Sequence, residues 1–504
     1  MKIRQFSLVL WVAALIALAA LHFVHLQADF PNYSRWMDWS KYTDEGWYAN
    51  GAIEHFIRGS WYVPGDFNSS AAVPLWPFLT FILFHLTGMS IQAARGLSVS
   101  LFCLNLFLSY RLIRKEEKEW VALLACSLLA SSSFMFCFSR LAILEPLLIS
   151  LTLASLLLAE KVGAIIDHRR RMAAAALVGV LFCGMVLTKT TAVFLLPALL
   201  YSLWYPLRKD LRAFFRVIAA MGLTAATLWG SYFFLFVRPY YLADYKYLFY
   251  VNVFQRPSQL LGWLATGYYA VHGALWIDRV LVAASVLLLV LTVFLARTAW
   301  RNPLFVSSVL AIAGYFFFIA YDANMQPRYY AVIAFFLFFV VTLACASLLR
   351  TQRGLGVAAL VVVCCAMAKS TWELGGFVLH PQYTFVDAAR NLTNYIDQHP
   401  NGNRMLVSIS GNDISLITGL PSLCDDFGTL PLPDKLAKYK PGWYAGWNEL
   451  DPGTLEDLQT EYSLQEVANY KAFDDEERNT LVLYKLIPLK HPQDVSTETS
   501  AGAL

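Results

Sequence analysis

Four short stretches keep ionisable side chains in an otherwise apolar chain. The first is Asp44-Glu45, within Tyr42-Thr-Asp-Glu-Gly-Trp-Tyr-Ala49 and followed by Gly59-Ser-Trp-Tyr-Val-Pro64. Adjacent carboxylates in an aromatic loop can take a proton as a general base or ligate a metal. As an acidic pair at a helix start they would only complement the macrodipole. The second stretch is Ser139-Arg140-Leu-Ala-Ile-Leu-Glu145-Pro146. Proline in the first turn fixes a helix start, which places Glu145 at a helix terminus beside Arg140; the plainer reading is an interfacial ion pair worth little. The third, Thr188-Lys189-Thr190-Thr191, lies in a hairpin between two short apolar segments. A lysine there must snorkel to the headgroups or meet an anion. The fourth runs from Asp322 through Pro327-Arg328-Tyr329-Tyr330. Its arginine offers a planar fork suited to phosphate oxygens, or else a headgroup contact in an aromatic belt.

No Walker A loop, dinucleotide fingerprint or HExxH occurs. His55, His85 and His272 are the only histidines expected near these stretches. No cofactor follows from the residues; a divalent metal is compatible with the carboxylates but has no ligand set of its own.

The elements that must position these residues are membrane spans. Of 504 residues, 58% are hydrophobic and 15% charged, where a soluble domain has about a quarter charged. The apolar residues fall in blocks near the roughly 20 residues that a helix needs to cross the hydrocarbon core. The net charge of +4 is too small and too dispersed to indicate nucleic acid. Seven of the eight cysteines lie in apolar blocks and only Cys424 in the polar C-terminal part, so no disulfide framework is implied. The block Phe6 to Val24, behind Lys2 and Arg4, reads as a signal anchor retained in the protein.

Basic residues set the topology, because Lys and Arg are retained in short cytoplasmic loops. Arg111–Lys118, Lys161–Arg171, Arg208–Arg216, Arg297 with Arg301 and, more weakly, Arg350 with Arg353 all fall on one side if the N-terminus is cytoplasmic. The spans are then expected at 6–26, 97–113, 120–138, 141–159, 173–188, 190–207, 214–236, 280–296, 303–320, 329–348 and 355–370. Pro74 to Leu86 is about 13 residues long, in the range of re-entrant or interfacial segments, and is read as a juxtamembrane helix inside a first outer loop at 27–96. Leu260 to Trp276 is read as a second interfacial stretch.

The fold class expected is mostly α: a transmembrane helical bundle of about eleven spans over residues 1–370, with juxtamembrane helices, then a small extracytoplasmic α/β domain over 371–490 and a flexible tail at 491–504. Within that domain Tyr383 to Gln398 reads as an amphipathic helix, Arg404 to Ser410 as a strand, Asn412 as the cap of a brief helix to Thr418, and Thr480 to Tyr484 as a last strand. Asn32, Asn68 and Asn391 head N-x-Ser/Thr triplets, relevant only in a eukaryotic secretory compartment. On this topology all four charged stretches share the outer face.

Taken in order, these features resemble the GT-C glycosyltransferases. A signal-anchor span leads into a loop with Asp-Glu-x-x-Tyr-Ala and Gly-x-Trp-x-Val-Pro, then an apolar Pro-Leu segment. The Arg-x-x-x-x-Glu-Pro element, the Thr-Lys turn and the late Pro-Arg-Tyr turn follow. Over roughly residues 1–350 the chain is similar to the protein O-mannosyltransferase and lipid A aminoarabinose transferase group. The resemblance implies transfer of a sugar from a polyprenyl-phosphate donor to a lipid, glycan or protein acceptor on the outer face, in one displacement. It implies that Asp44 is the catalytic carboxylate, with Glu45 in support, and that Glu145 is a second acidic position. It also implies that Lys189 and Arg328, with Arg140, hold the donor phosphate, and that Tyr48, Trp61 and Tyr329 line the substrate pocket. Where relatives often carry Glu-Lys-Pro-Pro, this chain has Ala71-Ala72-Val73-Pro74, so no role of that Glu and Lys carries over. The usual Thr-Lys-Gly is Thr188-Lys189-Thr190 here.

Membrane lipids are the other expected partners. The location implied is a bacterial plasma (inner) membrane, with an endoplasmic reticulum as the alternative. A lipid or sugar transporter or flippase would also keep intramembrane charge, but such proteins often carry internal repeats, and none is seen. A lipid-binding or assembly protein is a third reading.

Overall fold

The computed structural model describes residues 2–29, 40–251, 259–322, 325–473 and 478–489. The tail expected at 491–504 and the Asn32 triplet lie outside the described residues.

The N-terminal half contains α1 (Lys2–Leu21), α2 (Ser40–Arg58), α3 (Leu75–Thr87), α4 (Ile91–Glu116), α5 (Glu119–Ser131), α6 (Ser133–Arg140), α7 (Glu145–Ala164), α8 (His168–Thr188), α9 (Leu196–Leu207) and α10 (Leu211–Tyr232). It continues with α11 (Leu242–Val251), α12 (Leu260–Gly273), α13 (Arg279–Phe294), α14 (Pro303–Asp322), α15 (Tyr330–Thr351) and α16 (Arg353–Leu379). Polar residues at loop ends start many of them. Ser90, Asp167, Asp210 and Asp278 accept first-turn N–H groups of α4, α8, α10 and α13, which satisfies donors that a helix leaves orphaned.

Among the described residues, eight helical stretches are long and apolar enough to cross a membrane, or ten if the bent pairs α5/α6 (69°) and α12/α13 (119°) each count as one. With the apolar stretch Leu8–Leu21 of α1, these are the segments picked out by hydropathy. Helix α15 is apolar on every face and sits at the centre, with Tyr330 to Leu348 buried throughout, as an all-round apolar helix must. Helix α16 runs on to Leu379, beyond the span end expected at 370. Lys369, which breaks the apolar pattern there, is neutralised by Asp278 at 2.7 Å and Glu373 at 3.6 Å.

Helix α3 has 13 residues, about 20 Å of helix, too short for a hydrocarbon core of about 30 Å. It lies against α2 instead, with Trp76 and Phe84 packed on Ala49, Ala52 and Ile53.

After α17 (Thr384–Gln398), a sheet forms from β1 (Leu406–Val407), β2 (Ser422–Leu423), β3 (Trp443–Trp447), β4 (Tyr462–Lys471) and β5 (Thr480–Pro488), with α18 (Gly411–Thr418), α19 (Leu432–Tyr439) and α20 (Pro452–Gln459) between them. The order is β2-β1-β3-β5-β4; β1 pairs in parallel with β2 and β3, and β5 runs antiparallel to β3 and β4. Alternation along a strand sends neighbours to opposite faces. Leu406, Trp443 and Leu483 pack with α17 on one side, while Val407, Tyr444 and Leu486 meet Leu436 and Leu458 on the other. This layer rests on α2 and the loop after it: Leu416 joins the α2–α3 cluster, and Cys424 packs with Trp47 and Phe67.

Candidate active site

Glu145 opens α7 and Lys189 closes α8. A carboxylate at a helix N-terminus and a cation at a C-terminus are each favoured by the peptide dipoles. The two side chains meet in a buried ion pair. Arg328 stands in the short turn Pro327–Tyr329 that starts α15, and its Nη1 lies 2.8 Å from Oδ2 of Asp44 on α2. The ring of Tyr329 links the pairs, with the Lys189 Nζ 4.2 Å and the Arg328 guanidinium 4.9 Å from its centroid. Asp44, Glu145, Lys189 and Arg328 are each more than nine-tenths buried. Four distant segments thus converge on one patch holding two cations and two carboxylates. Tyr48, one turn along α2 from Asp44, lies in the same field. Burial drives its hydroxyl well above the usual phenol range, opposed by Arg328 and reinforced by Asp44, Tyr329 and Glu145.

Glu45 faces elsewhere. Both its oxygens are held by the fork of Arg95, at 2.8 and 2.6 Å, and Oε1 also accepts the Ala142 N–H at 2.8 Å. Arg95 in turn donates to the carbonyls of Leu26 and Ala28. Glu45 therefore clamps α2 to α4, the α6–α7 turn and the exit of α1. Arg95 was not among the expected site residues; it lies just before the span expected at 97–113.

Arg140 does not pair with Glu145. Its Nη2 donates to the carbonyls of Val24 (2.6 Å) and His25 (2.7 Å), and the guanidinium covers Phe136 at 4.4 Å. Trp61 lies by the other end of α2, beside His55 (5.6 Å) and Phe81 (4.9 Å), with His85 next to them. Of the residues expected to form a site, the structure brings together Asp44, Tyr48, Glu145, Lys189, Arg328 and Tyr329, and leaves Glu45, Arg140 and Trp61 outside that patch. Among the described residues no three His, Cys, Asp or Glu side chains form a metal-holding group; Asp44 and Glu45 turn to different arginines.

Gln326 accepts from Arg328, an anchor that its place beside Pro327 did not advertise. A second unforeseen neighbour comes from the C-terminal domain. Asp413 on α18 accepts the Gly46 N–H at 2.7 Å. Its carboxyl is pushed well above the usual range by burial and by the charges of Glu45 and Asp44.

Residues 70–230 match the family described as dolichyl-phosphate-mannose-protein mannosyltransferase. That stretch contains Glu145 and Lys189 but neither Asp44 nor Arg328. No curated protein sequence matches the chain. Among solved structures, the chain is similar to ArnT from Cupriavidus metallidurans in the apo state, with TM-score 0.62 and 14% identity over 95% of this chain and 98% of that one. Bound to undecaprenyl phosphate, the same protein gives TM-score 0.64 and 14% identity over 94% and 98%. The Archaeoglobus fulgidus oligosaccharyltransferase in complex with Zn and sulfate matches with TM-score 0.52 and 13% identity over 90% of this chain and 72% of that one. At such identities the likeness is one of fold, and the fold is that of the GT-C glycosyltransferases.

Proposed function

We propose that this GT-C-fold membrane protein moves a sugar from a polyprenyl-phosphate donor to an acceptor hydroxyl, with Asp44 as the base and Arg328 and Lys189 as the phosphate clamp. It is a multi-pass integral membrane protein and a polyprenyl-phosphate-dependent glycosyltransferase. The basic loops favour a cytoplasmic N-terminus, with the patch and the 371–490 domain on the outer face of the membrane, which we take to be a bacterial plasma membrane. The acceptor is a lipid, a glycan or a protein hydroxyl.

One observation carries the assignment of roles: two buried cations share the Tyr329 ring, Lys189 paired with Glu145 and Arg328 with Asp44. A donor phosphate entering between Lys189 and Arg328 competes with Asp44 for the arginine fork. The displaced carboxylate can then take the proton of the acceptor hydroxyl. The acceptor oxygen attacks the anomeric carbon, and the bond to the phosphate oxygen breaks. The electron pair leaves with polyprenyl phosphate, whose growing charge is met by fixed cations in a water-poor site. One displacement inverts the anomeric centre. Glu145 holds Lys189 in place at rest.

The test uses the full chain in nanodiscs with a panel of undecaprenyl-phosphate-linked sugars. Asp44→Asn is expected to lower turnover by about 100-fold or more while membrane insertion and undecaprenyl phosphate binding persist. Near-normal turnover would remove Asp44 from the role of base.

A further inference from the structure

We infer that Asn412 and Asp413, at the tip of α18, are the sugar-hydroxyl subsite of this centre, so that the C-terminal domain supplies a wall of the active site. The inference rests on the transferase reading above.

Three observations point there. Helix α18 lies directly on α2 at Gly46, where a Cβ would overlap the backbone of Asn412 and Asp413. The contact falls two residues from Asp44. Asn412 does not cap α18, contrary to expectation: the N-cap position is Ser410, and Asn412 stands inside the first turn. Its side chain is thereby released from local bonding. Both Asn412 side-chain atoms, Nδ2 and Oδ1, and the second oxygen of Asp413, Oδ2, are buried without a hydrogen-bond partner among the described residues. The two residues are only 1% and 2% exposed. Buried polar groups left unpaired are costly, and natural folds keep few of them without a use.

Their chemistry selects the ligand. An amide N–H₂, an amide oxygen and a carboxyl oxygen together offer both donors and acceptors, which suits hydroxyls that give and receive a hydrogen bond at once. The donor phosphate is assigned elsewhere, because Lys189 and Arg328 gather on the Tyr329 ring, while Arg95, the cation near Asp413, is already taken by both oxygens of Glu45. Phosphate and sugar are thereby assigned to different neighbours of the Asp44–Gly46 turn of α2. The hydroxyls belong to the donor sugar or to a glycan acceptor.

The experiment measures steady-state transfer from the undecaprenyl-phosphate sugar panel to octyl glycosides by the full-length protein in nanodiscs. It compares wild type, Asn412→Ala, the milder Asp413→Asn, and Asp44→Asn. Undecaprenyl phosphate binding serves as the check that the phosphate clamp is intact. The expected result is a rise of about tenfold in one KM, with kcat and undecaprenyl phosphate affinity within about twofold of wild type. A rise in donor KM assigns the subsite to the donor sugar, and a rise in octyl glycoside KM to the acceptor. Unchanged KM values in Asn412→Ala and Asp413→Asn, beside an inactive Asp44→Asn, overturn the subsite alone. Parallel loss of kcat and undecaprenyl phosphate binding means a structural role and also overturns it. An Asp44→Asn protein as active as wild type overturns the base assignment, whatever the α18 variants do.

Discussion

Arg328 holds Asp44 at 2.8 Å while its guanidinium rests over Tyr329, the ring that also receives Lys189. In the proposed phosphate clamp each cation is thus paired with a carboxylate of the protein itself. Arg328→Lys keeps the charge but loses the planar fork. Undecaprenyl phosphate should bind about tenfold more weakly to it, a loss of about 1.4 kcal/mol. Arg328→Ala also removes one partner of the buried Arg328–Asp44 pair and should cost about 3–5 kcal/mol of stability. Titration with undecaprenyl phosphate and thermal unfolding separate the two effects. Equal affinity in the lysine variant would remove the fork from the account.

The Lys189–Glu145 pair lends itself to a double-mutant cycle. Removing one partner of a buried pair leaves a lone charge, whereas removing both leaves none. Lys189→Ala and Glu145→Ala should therefore each lower the unfolding temperature sharply. The double variant should lie above the sum of the two losses, by a coupling of about 0.5–3 kcal/mol. Additive losses would mean that the contact carries no energy.

The apolar blocks made the spans legible, because bilayer solvent demands long uncharged runs whatever the tertiary packing. Asp44, Glu145, Lys189 and Arg328 were legible for a related reason: each is a charge that the membrane would otherwise exclude. Which cation meets which carboxylate was not. Arg140 and Glu145 are near neighbours in sequence, yet the turn between them sends Arg140 to the carbonyls ending α1, and Glu145 to Lys189. Trp61 shares the aromatic character of Tyr48 but follows α2, on the side of His55. The C-terminal sheet was read only in part. Strand β3 is bracketed by Pro441-Gly442 and Asn448, and β4 is mostly polar on its open face, so neither shows the alternation of a half-buried strand. Asp413 is a plain polar residue in sequence, and only the docking of α18 on Gly46 brings it to the site.

That docking has its own lock. Lys435, 1% exposed, donates to Asp66 at 2.8 Å and to the carbonyls of Cys424 and Phe427 at 2.6 Å. It thereby ties α19 to the loop after α2. Lys435→Met keeps the stem and removes the donor, leaving Asp66 buried beside unmet carbonyls. Limited proteolysis should cut the 59–66 loop faster in this variant, with a lower unfolding temperature. Asp66→Asn with Lys435→Met should recover part of the loss. Protection equal to wild type would show that the domains are held without this bond.

Asp29 makes a comparable joint between the exit of α1 and the start of α17, and it should give the interface a pH dependence. Its carboxylate accepts from Thr384 Oγ1 and the Phe385 N–H, both at 2.8 Å. Burial nevertheless outweighs these bonds and the nearby Arg95, raising its pKa from 3.8 to about 6. A group whose pKa is higher when folded binds its proton more tightly in the native state. Its stabilising contribution is therefore complete below about pH 4 and lost as the pH rises through about 6. Asp29→Asn cannot titrate. The unfolding temperature of wild type minus that of the variant should fall across this window and level off above it. Because other buried carboxyls titrate in both proteins, only this difference reads Asp29, and a difference that rises with pH would contradict the burial argument.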